Sequence, residues 1–436
     1  VSRTGAVPEG PIKASVRTRR RRAGRGLASE RQFPRRPSFR QTFNSLSVPA
    51  FRQWFIAQVL SASGTMTQGV ALSWLMLRLT GSGIDLGLMT TFTFLPMLVT
   101  GPWSGSLVDR VNRRRLLLVT QSLFMALSAL LAVLTATGVV RVWMLFALAL
   151  ASGVVGAPDA AARQIYAIDL VGTERLTSAI SLNEVVLNLS RVLGPAAGGA
   201  LLATLGVSAC CILNSASFVP PLLVLMAHPK GTTPPRDPSV KRDHFLTGVR
   251  YAWGNRAIRT SLFMAAASGM LFNLNVPLPL LATRVFHLGG GGYGLMMSMF
   301  GVGGIFGGLM AAAGHSRPTR RSVTTLAAFT GASILATAFA PNLPWEYTGL
   351  TVTGCLSIWF IARANALVQF ETDPSMRGRV MGVWSMALPG CEPFTSPFVG
   401  WVGEAVGARE SFAAAGVALV LIAGASWRTL FHRMKK

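Results

Sequence analysis

Charge is scarce in this chain, and negative charge is scarcest: of 436 residues, 13% are Asp, Glu, Lys or Arg, and only 16 are acidic. So thin a polar supply excludes an ordinary soluble domain, where about a quarter of residues are charged. Cysteine and histidine are few as well, at four and five. Cys210, Cys211, Cys355 and Cys391 sit inside apolar runs without a C-x-x-C spacing or a nearby histidine cluster. That pattern excludes a disulfide scaffold or zinc site and leaves packed, reduced thiols. No Gly-rich loop is followed by Lys-Ser/Thr, so Gly289 to Gly292 reads as a flexible turn rather than a phosphate cradle. No metal, no cofactor and no enzymatic constellation is expected.

Apolar residues fill the space left. They make up 51% of the chain, and mean hydropathy is +0.46. Runs of 18 or more apolar residues recur from Phe51 to Phe431, each long enough for a hydrocarbon core of about 30 Å. Splitting them at charged or Gly/Pro joints gives twelve candidate spans, near 51–77, 84–108, 114–137, 142–165, 174–203, 207–227, 260–284, 292–313, 321–340, 345–368, 376–404 and 409–431. The expected fold class is an all-α membrane protein.

The net charge of +25 raises the question of nucleic acid, and its placement answers it. Twelve of the 41 Lys and Arg lie between Arg3 and Arg40, in a Pro- and Ser-rich tail too poor in apolar residues to fold alone. With both termini cytoplasmic, the inside joints and ends hold 22 positives without that tail, against Arg78, Arg141, Arg284 and Arg409 outside. This is the positive-inside bias of a multi-pass cell-membrane protein, not a nucleic-acid footprint.

The break from His228 to Arg259 carries seven Lys/Arg and divides the chain into two six-span halves. The expected division is a basic cytoplasmic tail over 1–47, bundles over 48–227 and 260–431, a linker over 228–259 and a cytoplasmic end over 432–436. Phe245, Val249 and Trp253 recur every four residues in the linker, as in an amphipathic helix on the membrane surface. The halves echo each other at an offset of 202 residues: Gly194-Pro195-x-x-Gly198 falls on Ser396-Pro397-x-x-Gly400, and Arg175 on Arg377.

Two motifs sharpen this reading. Gly105-x-x-x-Asp109-Arg110-x-x-Arg113-Arg114, between spans 2 and 3, resembles the loop signature of the major facilitator superfamily. Asn112 stands where that pattern has a second glycine, and asparagine also tolerates a left-handed turn. In span 5, Arg191-x-x-Gly194-Pro195-x-x-Gly198-Gly199 resembles the antiporter signature of facilitators that export drugs and other solutes. The stretches "VPAFRQWFIAQVLSASG", "LSWLMLRLTGSGIDLGL" and "ERLTSAISLNEVV" are similar to the enterobactin-exporter and macrolide-efflux-like branch. The resemblance implies two pseudo-symmetric six-helix bundles, a small-molecule substrate, protons as coupling ion and a monomer in the bilayer. It also implies that Asp109 latches onto the start of span 11, where helix N-terminal N–H groups favour a carboxylate.

That branch often has an acid after the helix 1 glycine, whereas here Gly64 is followed by Thr65. Other charges at membrane depth therefore become the proton-coupling or substrate-path candidates. Glu184, Asn188 and Arg191 share one face of span 5; Asp159 and Arg163, four apart in span 4, are positioned to pair; Glu392 lies in span 11. The functional expectation is export of a hydrophobic or amphipathic molecule (drug, macrolide or siderophore-like) by proton antiport. A proton-coupled importer of the same fold and a non-transporting scaffold or sensor using the basic tail are the alternatives.

Overall fold

A computed structural model describes residues 1–2, 44–108, 110–172, 175–228, 250–251, 253–254, 258–263, 274–313, 318–373, 376, 380, 383–384 and 390–431. Among the described residues all regular structure is helical. After a 3₁₀ turn at Asn44–Ser47, the first half contains α1 (Pro49–Thr80), α2 (Gly83–Val108), α3 (Arg113–Ala136), α4 (Val142–Val171), α5 (Leu176–Thr204), α6 (Val207–Ser217) and α7 (Val219–Ala227). The second half contains α8 (Pro277–Leu280), which runs into a π turn over Leu281–Val285, and then α9 (Gly290–Ala313), α10 (Arg320–Ala338), α11 (Leu343–Glu371), α12 (Glu392–Ala405) and α13 (Ala408–Phe431).

Eight segments among the described residues are long and apolar enough to cross a membrane. The span predicted over 207–227 divides into α6 and α7 at Phe218, just before Pro220 and Pro221, because two adjacent prolines cannot donate the helix hydrogen bonds there. Spans 7 and 11 fall partly on residues outside the described set, as do Phe245 and Val249 of the linker. Within the first half α1 packs on α5 and α6, α2 on α4 and α3 on α6; within the second, α9 packs on α11 and α10 on both α11 and α13. Among the described residues two extensive helix pairs join the halves: α2 with α12, and α5 with α9.

Each half is pinned on the face that carries the chain termini, and in the same way. Arg113 at the start of α3 pairs with Asp169 near the end of α4 at 2.7 Å, and Arg320 at the start of α10 pairs with Glu371 at the end of α11 at 2.8 Å. Both arginines reach both carboxylate oxygens, Arg113 through one nitrogen and Arg320 through two, the latter being the stronger forked form. The loop motif between α2 and α3 thus contributes fasteners. Besides Arg113, Arg114 donates to the Leu225 and Met226 carbonyls at the end of α7.

Asn112 corrects an expectation. Its backbone is extended (φ −66°) rather than left-handed, and its side chain accepts the Arg115 N–H at 3.1 Å, so asparagine stands there as the N-cap of α3. Gly105 lies in the last turns of α2, Arg110 is exposed, and Asp109 is outside the described residues.

Candidate functional site: two seams and the polar groups beside them

Both helix pairs that join the halves are built around a proline. A proline has no N–H and leaves the carbonyl four residues earlier without its helical partner. In α5, Pro195 releases the Arg191 carbonyl, and Gly301 of α9 sits so close that a Cβ there would press into it. In α12, Pro397 releases the Pro393 carbonyl, and the Thr91 hydroxyl of α2 donates to it at 2.9 Å. The two freed acceptors, 202 residues apart, are each met by the other half.

Glycine brings the backbones together. A Cβ on Gly294 of α9 would strike the backbone of Gly199, one on Gly400 of α12 would strike the Gly83 carbonyl, and one on Gly87 would run into Ser396 and Pro397. Such approach is how membrane helices gain packing energy when hydrophobicity cannot drive them together. The span 5 motif therefore has two faces. Gly194 and Gly198 pack on α1, where Thr67 donates to the Gly194 carbonyl at 2.9 Å, while Gly199 faces the other half.

Of four charged candidates with described side chains, two form an ion pair. Asp159 is fully buried and pairs with Arg163 at 2.7 Å, as the spacing suggested. Thr120 and Gln121 of α3 donate to the same carboxylate at 2.6 and 2.8 Å, and Arg163 reaches Gln58 of α1. This network ties α1, α3 and α4: Asp159 Oδ1 accepts the two side-chain bonds, while Oδ2 faces the Arg163 guanidinium. Arg191 of α5 and Glu392 in the first turn of α12 belong to different halves, yet the guanidinium acts electrostatically on the carboxylate. Glu184 and Asn188 share α5, but their side chains lie outside the described set.

Thr65 lies in a neutral network. Its hydroxyl donates to Ser61 and Asn214, and the Asn214 amide donates to Gln68 at 2.8 Å and Ser128 at 2.9 Å. Among the aromatics, Trp74 stands beside Gly290 at one seam, Trp384 is buried, and Phe394 is exposed.

Glu346 is a residue that sequence reading missed. It is fully buried in the first turn of α11, neither carboxylate oxygen has a hydrogen-bond partner, and Arg409 is its nearest opposing charge. Arg409 itself donates to the Ala338 and Ala340 carbonyls at the end of α10. The position next to Trp345 made Glu346 look like the edge of a span. No cluster able to hold a metal occurs among the described residues.

Proline-relieved, glycine-lined seams between two helical halves are the architecture of a transporter that rocks, and residues 40–436 match the family model described as transmembrane secretion effector. The chain belongs to that family. Its fold is the major facilitator fold. Among curated relatives, the multidrug efflux pump Tap of Mycobacterium tuberculosis is 28% identical over 86% of this chain and 92% of its own length. The staphyloferrin A transporter of Staphylococcus aureus is 25% identical over 85% of this chain and 94% of its own. The enterobactin exporter EntS of Shigella flexneri is 26% identical over 86% and 90%. Two solved structures share the fold: a bacterial homologue of the human lysosomal transporter Spinster (TM-score 0.67, 14% identity, 89% of this chain and 96% of that one) and a bacterial homologue of ferroportin (TM-score 0.63, 17% identity, 87% and 98%). Both are inward-facing.

Proposed function

We propose that this chain is a secondary transporter that exports a hydrophobic or amphipathic small molecule of drug or siderophore size, by alternating access and in exchange for protons. The observation that carries the reading is likeness over nearly the whole chain to proteins named as a multidrug efflux pump and an enterobactin exporter. In this reading the termini are cytoplasmic, the protein works as a monomer, and the two halves over 48–227 and 260–431 rock about the substrate path.

Glu392 is the carboxylate best placed to carry the proton, since it stands at the junction of the halves with Arg191 opposite. Glu184 shares that assignment from the sequence. Asp109 serves as the latch on the start of span 11. Accumulation of a catecholate siderophore, a macrolide and a cationic dye in intact cells tests the reading: expression should lower accumulation of at least one, and an uncoupler should abolish the difference. Glu392→Gln should remove that uncoupler-sensitive efflux, whereas efflux that survives in both Glu184→Gln and Glu392→Gln places the proton carrier elsewhere. Asp109→Asn should slow efflux about tenfold at equal expression, the effect of moving a two-state equilibrium by 1.4 kcal/mol.

A further inference from the structure

On the face opposite the termini, the two seams end differently. At the end of α5, Leu202 lays its side chain against Gly290, the first residue of α9. The position 202 residues later is Glu404, near the end of α12, and it meets the first residues of α2. There the Ile84 N–H donates to Glu404 Oε1 at 3.2 Å, and Ser82 and Gly83 beside it help hold the carboxylate in its charged form. Helix N-termini carry unsatisfied N–H groups and partial positive charge, so a carboxylate suits this place and a leucine satisfies nothing there.

A second charge completes the contact. Arg284, in the turn before α9, donates through one nitrogen to the Gly403 carbonyl at 3.1 Å and through another to the Gly81 carbonyl at 2.7 Å. Gly81 ends α1 in the first half, with a left-handed backbone (φ 66°), and Gly403 belongs to α12 in the second. One guanidinium thus ties a helix C-terminus of one half to the other half, directly beside Glu404. Both side chains are exposed, so water can replace these bonds when they part.

We propose that Glu404 and Arg284 form a breakable clasp across the far ends of α2 and α12, and that releasing it is a required step in opening that face of the protein. In the orientation proposed above, the clasp is the external counterpart of the Asp109 latch: each sets a carboxylate on the N-terminus of a helix in the opposite half. The glycine seam beneath supplies fit, while the clasp supplies a contact that solvent and salt can compete with. Among the described residues, the twin seam, closed by Leu202 on Gly290, shows no such element.

The inference rests on the alternating-access reading but needs no substrate to test. Spin labels at Val139 and Pro341, exposed in far-face joints of the two halves, report their separation by pulsed electron resonance in liposomes, in a background with the four native cysteines replaced. Glu404→Gln and Arg284→Gln should each enlarge the long-distance population several-fold, and the double variant by about tenfold, as expected for a two-state equilibrium shifted by a modest contact energy. Arg141→Gln removes a far-face positive charge outside the clasp and should leave the distribution unchanged. Variants at 404 and 284 that behave like Arg141→Gln overturn the proposal. The unsubstituted protein gives a second readout that no folding defect can confuse: raising salt from about 0.05 to 1 M shortens electrostatic reach severalfold and should move the population the same way. A salt-insensitive distribution also overturns the clasp. Loss of export of every compound tried, with the distance shifts intact, would count against the substrate assignment alone.

Discussion

The two seams are built to one plan and finished in two ways. Both have a proline that frees a carbonyl, a glycine that lets the other half reach the helix, and a long helix start at the far end. In α5/α9 the freed Arg191 carbonyl lies against Gly301, and the end is closed by Leu202. In α2/α12 the freed Pro393 carbonyl receives a hydroxyl from Thr91, and the end is closed by Glu404 and Arg284. A duplicated scaffold can keep its geometry while its two copies take different chemistry: one seam relies on dispersion and shape, the other on bonds that water can replace.

The comparison breaks most severely at the dispersive seam. Gly294→Val would place side-chain atoms inside the Gly199 backbone, and an overpacked site costs about 1–3 kcal/mol where neighbours can yield. Backbone cannot yield as a side chain does, so transport should fall below a tenth and the melting temperature in detergent should drop. Gly308→Val, on the same helix where a Cβ would meet nothing, should be near neutral. Equal behaviour of the two variants would remove close approach as the basis of the seam.

A smaller effect separates the buried acids of the halves. Asp159→Asn takes the charge from a network of Thr120, Gln121 and a partly exposed Arg163, and should destabilise by about 2 kcal/mol, below the range for fully buried pairs. Glu346→Gln removes a carboxylate with no hydrogen bonds, and should leave the melting temperature unchanged or raise it. Thermal unfolding of both variants decides this, and a large loss in Glu346→Gln would mean that Arg409 holds that carboxylate after all.

The smallest change tests the polar seam itself. Thr91→Val keeps shape and removes one hydrogen bond to Pro393, worth about 1 kcal/mol, so transport should change only a few-fold. Pro397→Ala removes the need for that bond, since the Pro393 carbonyl regains a helical donor. Thr91→Val should therefore cost nothing in the Pro397→Ala background. An undiminished cost there would show that the two residues act independently.

Local features of this molecule were readable in advance. Composition gave the helical membrane class, and a four-residue spacing brought Asp159 to Arg163. The Pro195/Pro397 echo marked both seams before any geometry was known. The clasp was invisible because its partners lie 320 residues apart in the chain, and nothing near Glu404 in sequence betrays what it meets. Arg284 was legible only as one of a few external positives. Glu346 hid behind a span boundary, and boundaries are the least certain part of any such reading. Asn112 misled for a different reason: the same residue type serves turns and helix caps, and only its backbone angle separates them.

Closure by backbone on backbone also bears on electrical leakage. If the chain exchanges its substrate for protons, as proposed above, its closed contacts must not offer protons a second route. A buried water needs room for itself and two to four polar partners. Where Gly199 lies on Gly294 and Gly83 on Gly400, there is not room for one added carbon, so no file of water can thread the closed contacts. On the proposed proton-coupled reading, the glycines that let the halves meet also insulate the closed contacts, and an enlarged seam should leak protons.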